Sequence, residues 1–156
     1  MIYSIIGNSG SGKSTMGHKL HKFLKTERRN WRRDVFFIDD DTLRQLTDNK
    51  DYTEKGIRGN IRDTYILSEF LHNQGCDVVI TIMSPYLELR EELKDRIGPN
   101  LQEIFLHTDS NRDTNQYKVP KFDHPEVNFI DIDTSKKSPD RAFSKLITNL
   151  TRVEKL

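Results

Sequence analysis

Residues Gly7-Asn8-Ser9-Gly10-Ser11-Gly12-Lys13-Ser14 fit the pattern G-x-x-x-x-G-K-[ST] at every position. An apolar, β-prone run, Ile2–Ile6, comes just before them, and a helix-compatible segment, 15–25, comes just after. A strand, a glycine-rich turn and a helix N-terminus together bind anions, because unpaired backbone N–H groups point at the ligand and the helix dipole favours negative charge. This stretch therefore predicts a phosphate-binding loop.

The same motif predicts how ATP and Mg²⁺ bind. The side chain of Lys13 would reach the β- and γ-phosphates, and the hydroxyl of Ser14 would hold Mg²⁺. An ordinary Gly/Ser turn beside a lysine is the alternative, but it does not account for the strand and helix on either side. The predicted ATP-binding residues of the loop are Gly7, Asn8, Ser9, Gly10, Ser11, Gly12, Lys13, Ser14 and Thr15.

Composition indicates one soluble domain over residues 1–156. Charged residues make up 31%, hydrophobic residues make up 34%, and the net charge is +1, so there is no overall attraction to nucleic acid or membrane. The single cysteine, Cys76, cannot form an internal disulfide and suits a reducing compartment. With no leader-like or membrane-spanning stretch in the sequence, we expect a cytoplasmic protein without a membrane partner.

Strand-like and helix-like runs alternate along the chain. The predicted strands are Ile2–Ile6, Val35–Ile38, Asp77–Met83, Gln102–His107 and Val127–Ile132. The predicted helices are Lys13–Lys25, Asp41–Thr47, Thr53–Gln74, Tyr86–Ile97 and Pro139–Arg152. This order predicts an α/β fold: a three-layer α/β/α sandwich with a five-stranded parallel sheet, as in nucleoside-kinase-like P-loop NTPases. Ligands of such sheets bind beyond the carboxyl ends of the strands, so polar residues there are candidates for chemistry.

Three acids, Asp39, Asp40 and Asp41, end the second predicted strand. They would repel one another without a partner or a use. One carboxylate could accept the proton of an attacking hydroxyl, and another could hold a water of the metal shell. Arg44 lies one helical turn later and could bind an anionic part of the acceptor. A compatible alternative is an acidic helix start in which Asp41 stabilises the first turn.

The third predicted strand ends in Ser84-Pro85-Tyr86. This segment carries no acid and suits a wall around a planar ligand better than a site that activates water. The alternative is a local helix start, with Ser84 as the cap and Pro85 at the first helical position.

Taken together, the motifs resemble adenylylsulfate kinases, which use ATP to phosphorylate the ribose 3′-hydroxyl of adenosine 5′-phosphosulfate. The resemblance covers roughly the first hundred residues. Its segments occur in the family's order and rough spacing: the phosphate loop, Asp39-x-Asp41-x-x-Arg44, Asn60-Ile61-Arg62 and Ile82-x-Ser84-Pro85-Tyr86-x-x-x-Arg90-Glu91.

This resemblance implies roles for individual residues. Asp41 would take the hydroxyl proton, Asp39 would orient groups on the metal side, and Lys13 would neutralise charge on the transferred phosphoryl group. Direct in-line transfer is favoured over a phosphoserine at Ser84, because a phosphate loop, Mg²⁺ and a base suffice for it. The implied acceptor-binding residues are Asp39, Asp41, Arg44, Arg58, Asn60, Ile82, Ser84, Pro85 and Tyr86.

Further expectations come from the same resemblance. Arg112, in a lid at about residues 108–125, would contact the adenine or the phosphates of ATP. The partner would be a small-molecule nucleotide acceptor, and a homodimer is expected only by analogy with similar kinases.

The chain departs from the family in four places. Asp40 replaces the usual glycine, and Ile57 stands where the family has an arginine, with Arg58 one residue later. The lid is shorter than in the family. The loop after the first helix is longer and basic, with Trp31 inside Arg28–Arg33. That loop is either a solvated helix end or a patch that binds nucleic acid.

Two other functions therefore stay open. One is a P-loop kinase with another hydroxyl acceptor: a modified nucleoside in DNA, a polynucleotide or a nucleotide-linked small molecule. The other is a nucleotide-binding protein without catalysis, which would have no need of the acids beside the loop.

Overall fold

The computed structural model describes residues 1–27, 33–109 and 121–153. Its strands are β1 Ile2–Ile6, β2 Val35–Asp39, β3 Asp77–Ile82, β4 Leu101–His107 and β5 Phe129–Asp133. Its α-helices are α1 Lys13–Glu27, α2 Asp40–Leu46, α3 Glu54–Asn73, α4 Leu87–Ile97 and α5 Pro139–Val153. A 3₁₀ turn, Gly98–Asn100, joins α4 to β4.

All five strands pair in parallel in the order β2-β3-β1-β4-β5. One hydrophobic cluster joins the sheet to α3 and α4, and a second joins its opposite face to α1 and α5. The strands β1 and β3 are buried along their whole length, as central parallel strands with helices on both faces should be. The predicted three-layer α/β/α sandwich is confirmed.

The start of β5 was predicted too early. The sequence suggested Val127, but the strand begins at Phe129 because Asn128 has a left-handed backbone with φ +55°. An extended strand cannot run through such a residue, since its φ lies far from the β region.

The start of α4 also differs from the local prediction. The helix begins at Leu87, and its N-cap is Tyr86 with an extended backbone. The prediction of Ser84 as cap and Pro85 as first helical residue is therefore wrong. The Ser84 hydroxyl instead accepts a hydrogen bond from Tyr65 of α3.

Some sequence predictions lie outside the described residues. These are Arg28–Arg32 of the basic loop, Arg112, and residues 110–120 of the expected lid. Across the described ranges, no helix is both long enough and apolar enough to cross a membrane.

Candidate functional site

The phosphate loop connects β1 to α1 at the carboxyl end of the sheet. Two positions of this loop require glycine. Gly12 has φ +94°, a conformation that side chains disfavour, and a Cβ on Gly7 would lie 2.2 Å from the Leu106 carbonyl oxygen. The Thr134 hydroxyl ties the loop to the sheet by bonding to the carbonyl oxygens of Ser11 (3.1 Å) and His107 (3.0 Å).

Lys13 lies in this loop, close to the acids at the end of β2 and the start of α2. Its ammonium donates a hydrogen bond of 3.0 Å to the carbonyl oxygen of Asn8. Burial lowers the pKa of Lys13, and the negative charges of Asp40, Asp41 and Asp39 oppose that effect. A poorly solvated cation beside exposed backbone N–H groups favours an anionic ligand.

Three segments of the chain meet at the carboxylate of Asp39. The hydroxyl of Ser14 donates to its Oδ1 over 3.1 Å, and the hydroxyl of Thr81, at the end of β3, donates to the same oxygen over 2.6 Å. The sequence had predicted that the acids after β2 face the phosphate loop, and this contact places Asp39 directly against it. Hydroxyl and carboxylate oxygens at this junction are the hard donors that Mg²⁺ prefers, so the residues present fit that ion.

The other two acids point differently. The side chain of Asp41 is exposed, and Asp40 is half-buried with its Oδ2 accepting a hydrogen bond of 3.1 Å from the backbone N–H of Met83. Burial, reinforced by the charge of Asp41, raises the pKa of Asp40 to about 7. Sequence reasoning missed this link between the acid cluster and the turn after β3.

Arg44 organises the loop that follows α2. Its Nη1 donates to the carbonyl oxygens of Asp51 (2.9 Å) and Asn49 (3.3 Å), and its guanidinium lies 4.6 Å from the centre of the Tyr52 ring. Tyr52 was also missed at the sequence level, because a single aromatic residue in a polar loop carries no pattern.

Several predicted acceptor residues are buried. Asn60, Ile82 and Ser84 are at most 3% exposed. The hydroxyl of Tyr65 donates to Oγ of Ser84 over 2.9 Å. Within the predicted acceptor wall these three residues are the buried part, and the Ser84 hydroxyl is closed off from solvent.

Tyr86, in the outer part of that predicted wall, lies under Arg58. The guanidinium of Arg58 is 3.8 Å from the Tyr86 ring centre and is held by Glu54 (2.8 Å) and Glu88 (2.6 Å). Burial raises the pKa of Tyr86. The side chain of Ile57 is packed in the hydrophobic core, whereas the side chain of Arg58 lies over Tyr86.

Comparison with known proteins bears on this site directly. The family profile described as adenylylsulphate kinase matches residues 1–121. The chain belongs to the adenylylsulphate kinase family. The match includes the phosphate loop, the acids after β2 and the Ser84–Tyr86 turn, so the predicted resemblance is confirmed.

Curated members of the family are moderately similar. The adenylyl-sulfate kinase of Picosynechococcus sp. is 34% identical over 102 residues, which are 65% of this chain and 55% of that protein. The cytidine diphosphoramidate kinase of Campylobacter jejuni is 28% identical over 108 residues, 69% of this chain and 61% of that protein. The chain thus spans little more than half the length of the relatives it matches.

Solved structures of the family share the fold. The Mycobacterium tuberculosis APS kinase CysC in complex with AMPPNP and APS has a TM-score of 0.79 at 19% identity and covers 96% of both chains. A hexameric APS kinase from Thiobacillus denitrificans has a TM-score of 0.75 at 20% identity, covering 97% of this chain and 29% of that one. At these identities the likeness establishes the architecture of this family member.

Two further residues of this adenylylsulphate kinase family member lie beside the Ser84–Tyr86 turn and were missed at the sequence level. The ring of Phe122 stacks on Phe105 at 5.5 Å, and the backbone N–H of Asp123 donates to the carbonyl oxygen of Pro85 over 2.9 Å. Neither belongs to a recognisable motif. Like Tyr52, each is a single residue in a polar segment and carries no sequence pattern.

Proposed function

We propose that the protein transfers the γ-phosphoryl group of ATP to a ribose hydroxyl of a small nucleotide, with the 3′-hydroxyl of adenosine 5′-phosphosulfate as the first candidate. The observation that carries the proposal is the contact between the Ser14 hydroxyl and the carboxylate of Asp39. It joins a phosphate-binding loop to an acid cluster, and the exposed member of that cluster, Asp41, can act as the base that transfer to a hydroxyl needs.

The residues divide the chemistry among them. The loop N–H groups and Lys13 bind the phosphates and offset the charge that spreads over the transferred group. Asp41, exposed beside the loop, accepts the proton of the attacking hydroxyl as its oxygen bonds to the γ-phosphorus. The bond from that phosphorus to the β–γ bridging oxygen breaks, and ADP leaves. Ser14 and Asp39 would hold Mg²⁺, which supplies charge neutralisation between the β- and γ-phosphates.

Direct transfer fits this site better than a phosphoserine at Ser84. The Ser84 side chain is fully buried, and its oxygen already accepts a hydrogen bond from Tyr65. A nucleophile that attacks ATP would have to leave this contact and reach solvent.

A second candidate is a nucleotide acceptor other than adenosine 5′-phosphosulfate. The arrangement of Arg58 favours it, because Glu54 and Glu88 both pair with the guanidinium and Ile57 stands where the family has an arginine. One cation between two carboxylates attracts a sulfate end poorly. A related protein, the cytidine diphosphoramidate kinase of Campylobacter jejuni, is named for a different acceptor.

An acceptor screen with γ-labelled ATP tests both candidates. The purified protein is incubated with adenosine 5′-phosphosulfate, a cytidine diphosphate derivative bearing a phosphoramidate, and a single-stranded oligonucleotide. Transfer to the first supports the leading candidate, and transfer only to the second selects the alternative. Label on the oligonucleotide alone, or on no acceptor, refutes the proposal.

Asp41→Asn tests the assigned base. It should lower acceptor-dependent transfer by about 10²-fold or more while ATP binding stays within about twofold. The matched control is Asp48→Asn, which removes another exposed acid that pairs only with Lys50 among the described residues and should leave transfer unchanged. Equal activity of both variants would show that Asp41 is not the base.

A further inference from the structure

Arg90 of α4 is buried and has no place in the chemistry described so far. It is 2% exposed, and its Nε pairs with Glu103 of β4 at 3.0 Å. Lys94 pairs with the other oxygen of the same carboxylate. Buried charges are costly unless they are paired and hydrogen-bonded, and an aliphatic side chain would fill this space without that cost. The arginine therefore does something that packing alone does not require.

The guanidinium of Arg90 bridges two separate segments. Its Nη1 donates to the carbonyl oxygen of Ser84, and its Nη2 donates to the carbonyl oxygen of Asp123; each donor–acceptor distance is 2.5 Å. The same group lies 5.1 Å from the centre of the Phe122 ring. A rigid planar fork of donors can hold two carbonyl groups at a fixed separation, which a lysine cannot do.

A backbone bond completes this junction. The N–H of Asp123 donates to the carbonyl oxygen of Pro85 over 2.9 Å. Residues 121–124 and the turn 83–86 are thus joined by one main-chain bond and by the two arms of Arg90. On its other side, the turn is held to the acid cluster by the Met83 N–H, which donates to Asp40.

We propose that Arg90 is a positioning residue for the acceptor: its fork holds the Ser84–Tyr86 turn against residues 121–124, so that the outer wall has one geometry. This inference rests on the proposed function, since it takes Tyr86 as part of the acceptor wall. Arg90 itself is too deeply buried to touch the acceptor. Its effect reaches the site through the carbonyl of Ser84, two residues before the Tyr86 ring.

Arg90→Lys is the test, with Lys94→Met as the matched control. The first keeps a positive charge beside Glu103 but cannot hold both carbonyls. The second removes the other partner of Glu103 and the bond from Lys94 to the Val127 carbonyl oxygen, but it leaves the fork intact. A merely structural role would make the two variants alike, because both disturb the same buried carboxylate.

Two readouts separate these possibilities. In Arg90→Lys the KM for the acceptor should rise about tenfold or more, with kcat within about threefold and ATP affinity within about twofold. Hydrogen exchange at the Asp123 amide, measured without any substrate, should speed up by about tenfold. Lys94→Met should leave both the acceptor KM and that exchange rate within about twofold of wild type.

Some results overturn the inference. An unchanged acceptor KM in Arg90→Lys, equal shifts in both variants, or unchanged exchange at Asp123 would each do so. If Arg90→Lys does not fold, Arg90→Gln carries the test, because its single amide nitrogen cannot hold both carbonyls while Lys94 still pairs with Glu103. It should raise the acceptor KM and speed exchange at Asp123 in the same way. If the wild-type protein phosphorylates no acceptor, the proposed function fails, and the exchange measurement still decides whether Arg90 fixes the turn.

Discussion

Replacing Asp40 with asparagine should stabilise the ligand-free protein, and the gain should depend on pH. The folded protein holds the pKa of this carboxyl at about 7, against an ordinary value of 3.8, mainly because of burial. Between these two values the folded state keeps a proton that the unfolded state releases. Stability therefore falls as pH rises from about 4 to 7. Asparagine carries no such charge and can still accept the hydrogen bond from Met83 N–H.

The magnitude follows from the size of the pKa difference. A difference of about three pKa units corresponds to about 4 kcal/mol, which is an upper limit for this site. The Asp40 side chain is only half-buried, so water reduces the effect, and we expect roughly 2 kcal/mol. The variant and wild type should be nearly equal in stability at pH 4, and the variant should be more stable at pH 8.

Urea denaturation followed by circular dichroism, at intervals from pH 4 to pH 8 without nucleotide or Mg²⁺, measures this difference. Asp48→Asn serves as the control, because that acid is exposed and pairs with Lys50 rather than with the acid cluster. A stability gain for Asp40→Asn that is the same at every pH would refute the reasoning, and so would a loss that grows with pH. Either result would mean that the Asp40 carboxyl is ionised in the folded protein well below neutral pH.

Three other changes have defined outcomes. Asp39→Asn should weaken Mg·ATP binding by about tenfold, because Asp39 and Ser14 would hold the ion together, but it should leave metal-free ATP binding within about twofold. Calorimetry with and without Mg²⁺ measures both affinities, and equal losses in the two conditions would contradict the assignment. Ser84→Ala should keep most of the transfer activity and cost about 1–2 kcal/mol in thermal or urea unfolding, through the bond from Tyr65, whereas complete loss of transfer in the folded variant would favour a phosphoserine. Gly17→Ala should destabilise the protein by about 1–3 kcal/mol, because its Cβ would lie 2.4 Å from a β3 side-chain atom, and unaltered urea unfolding would show that α1 shifts freely.

The sequence predicted the architecture and the phosphate loop because both depend on local patterns. The loop has fixed spacing, and the central strands are mainly apolar, as in Val78–Ile80. The position of the acids after β2, next to the phosphate loop, likewise followed from the rule that the carboxyl ends of parallel strands meet at one edge. The contact of Asp39 with Ser14 agrees with that rule.

What the sequence could not show were contacts between residues far apart in the chain. Asp40 and Met83 are 43 residues apart, and Arg90 and Asp123 are 33 apart. Periodicity and propensity carry no information about such pairs, since each depends on how whole elements pack. The same limit applies to the bond between Ser84 and Tyr65, which lies on another helix.

A crystal structure with a non-hydrolysable ATP analogue and Mg²⁺ tests most directly whether the acids after β2 face the phosphoryl group to be transferred. We predict that the Ser14 hydroxyl binds the ion, that the Asp39 carboxylate lies within about one water molecule of it, and that Asp41 borders open space next to the γ-phosphate. A γ-phosphate bound on the far side of the loop from Asp39 and Asp41 would contradict the account.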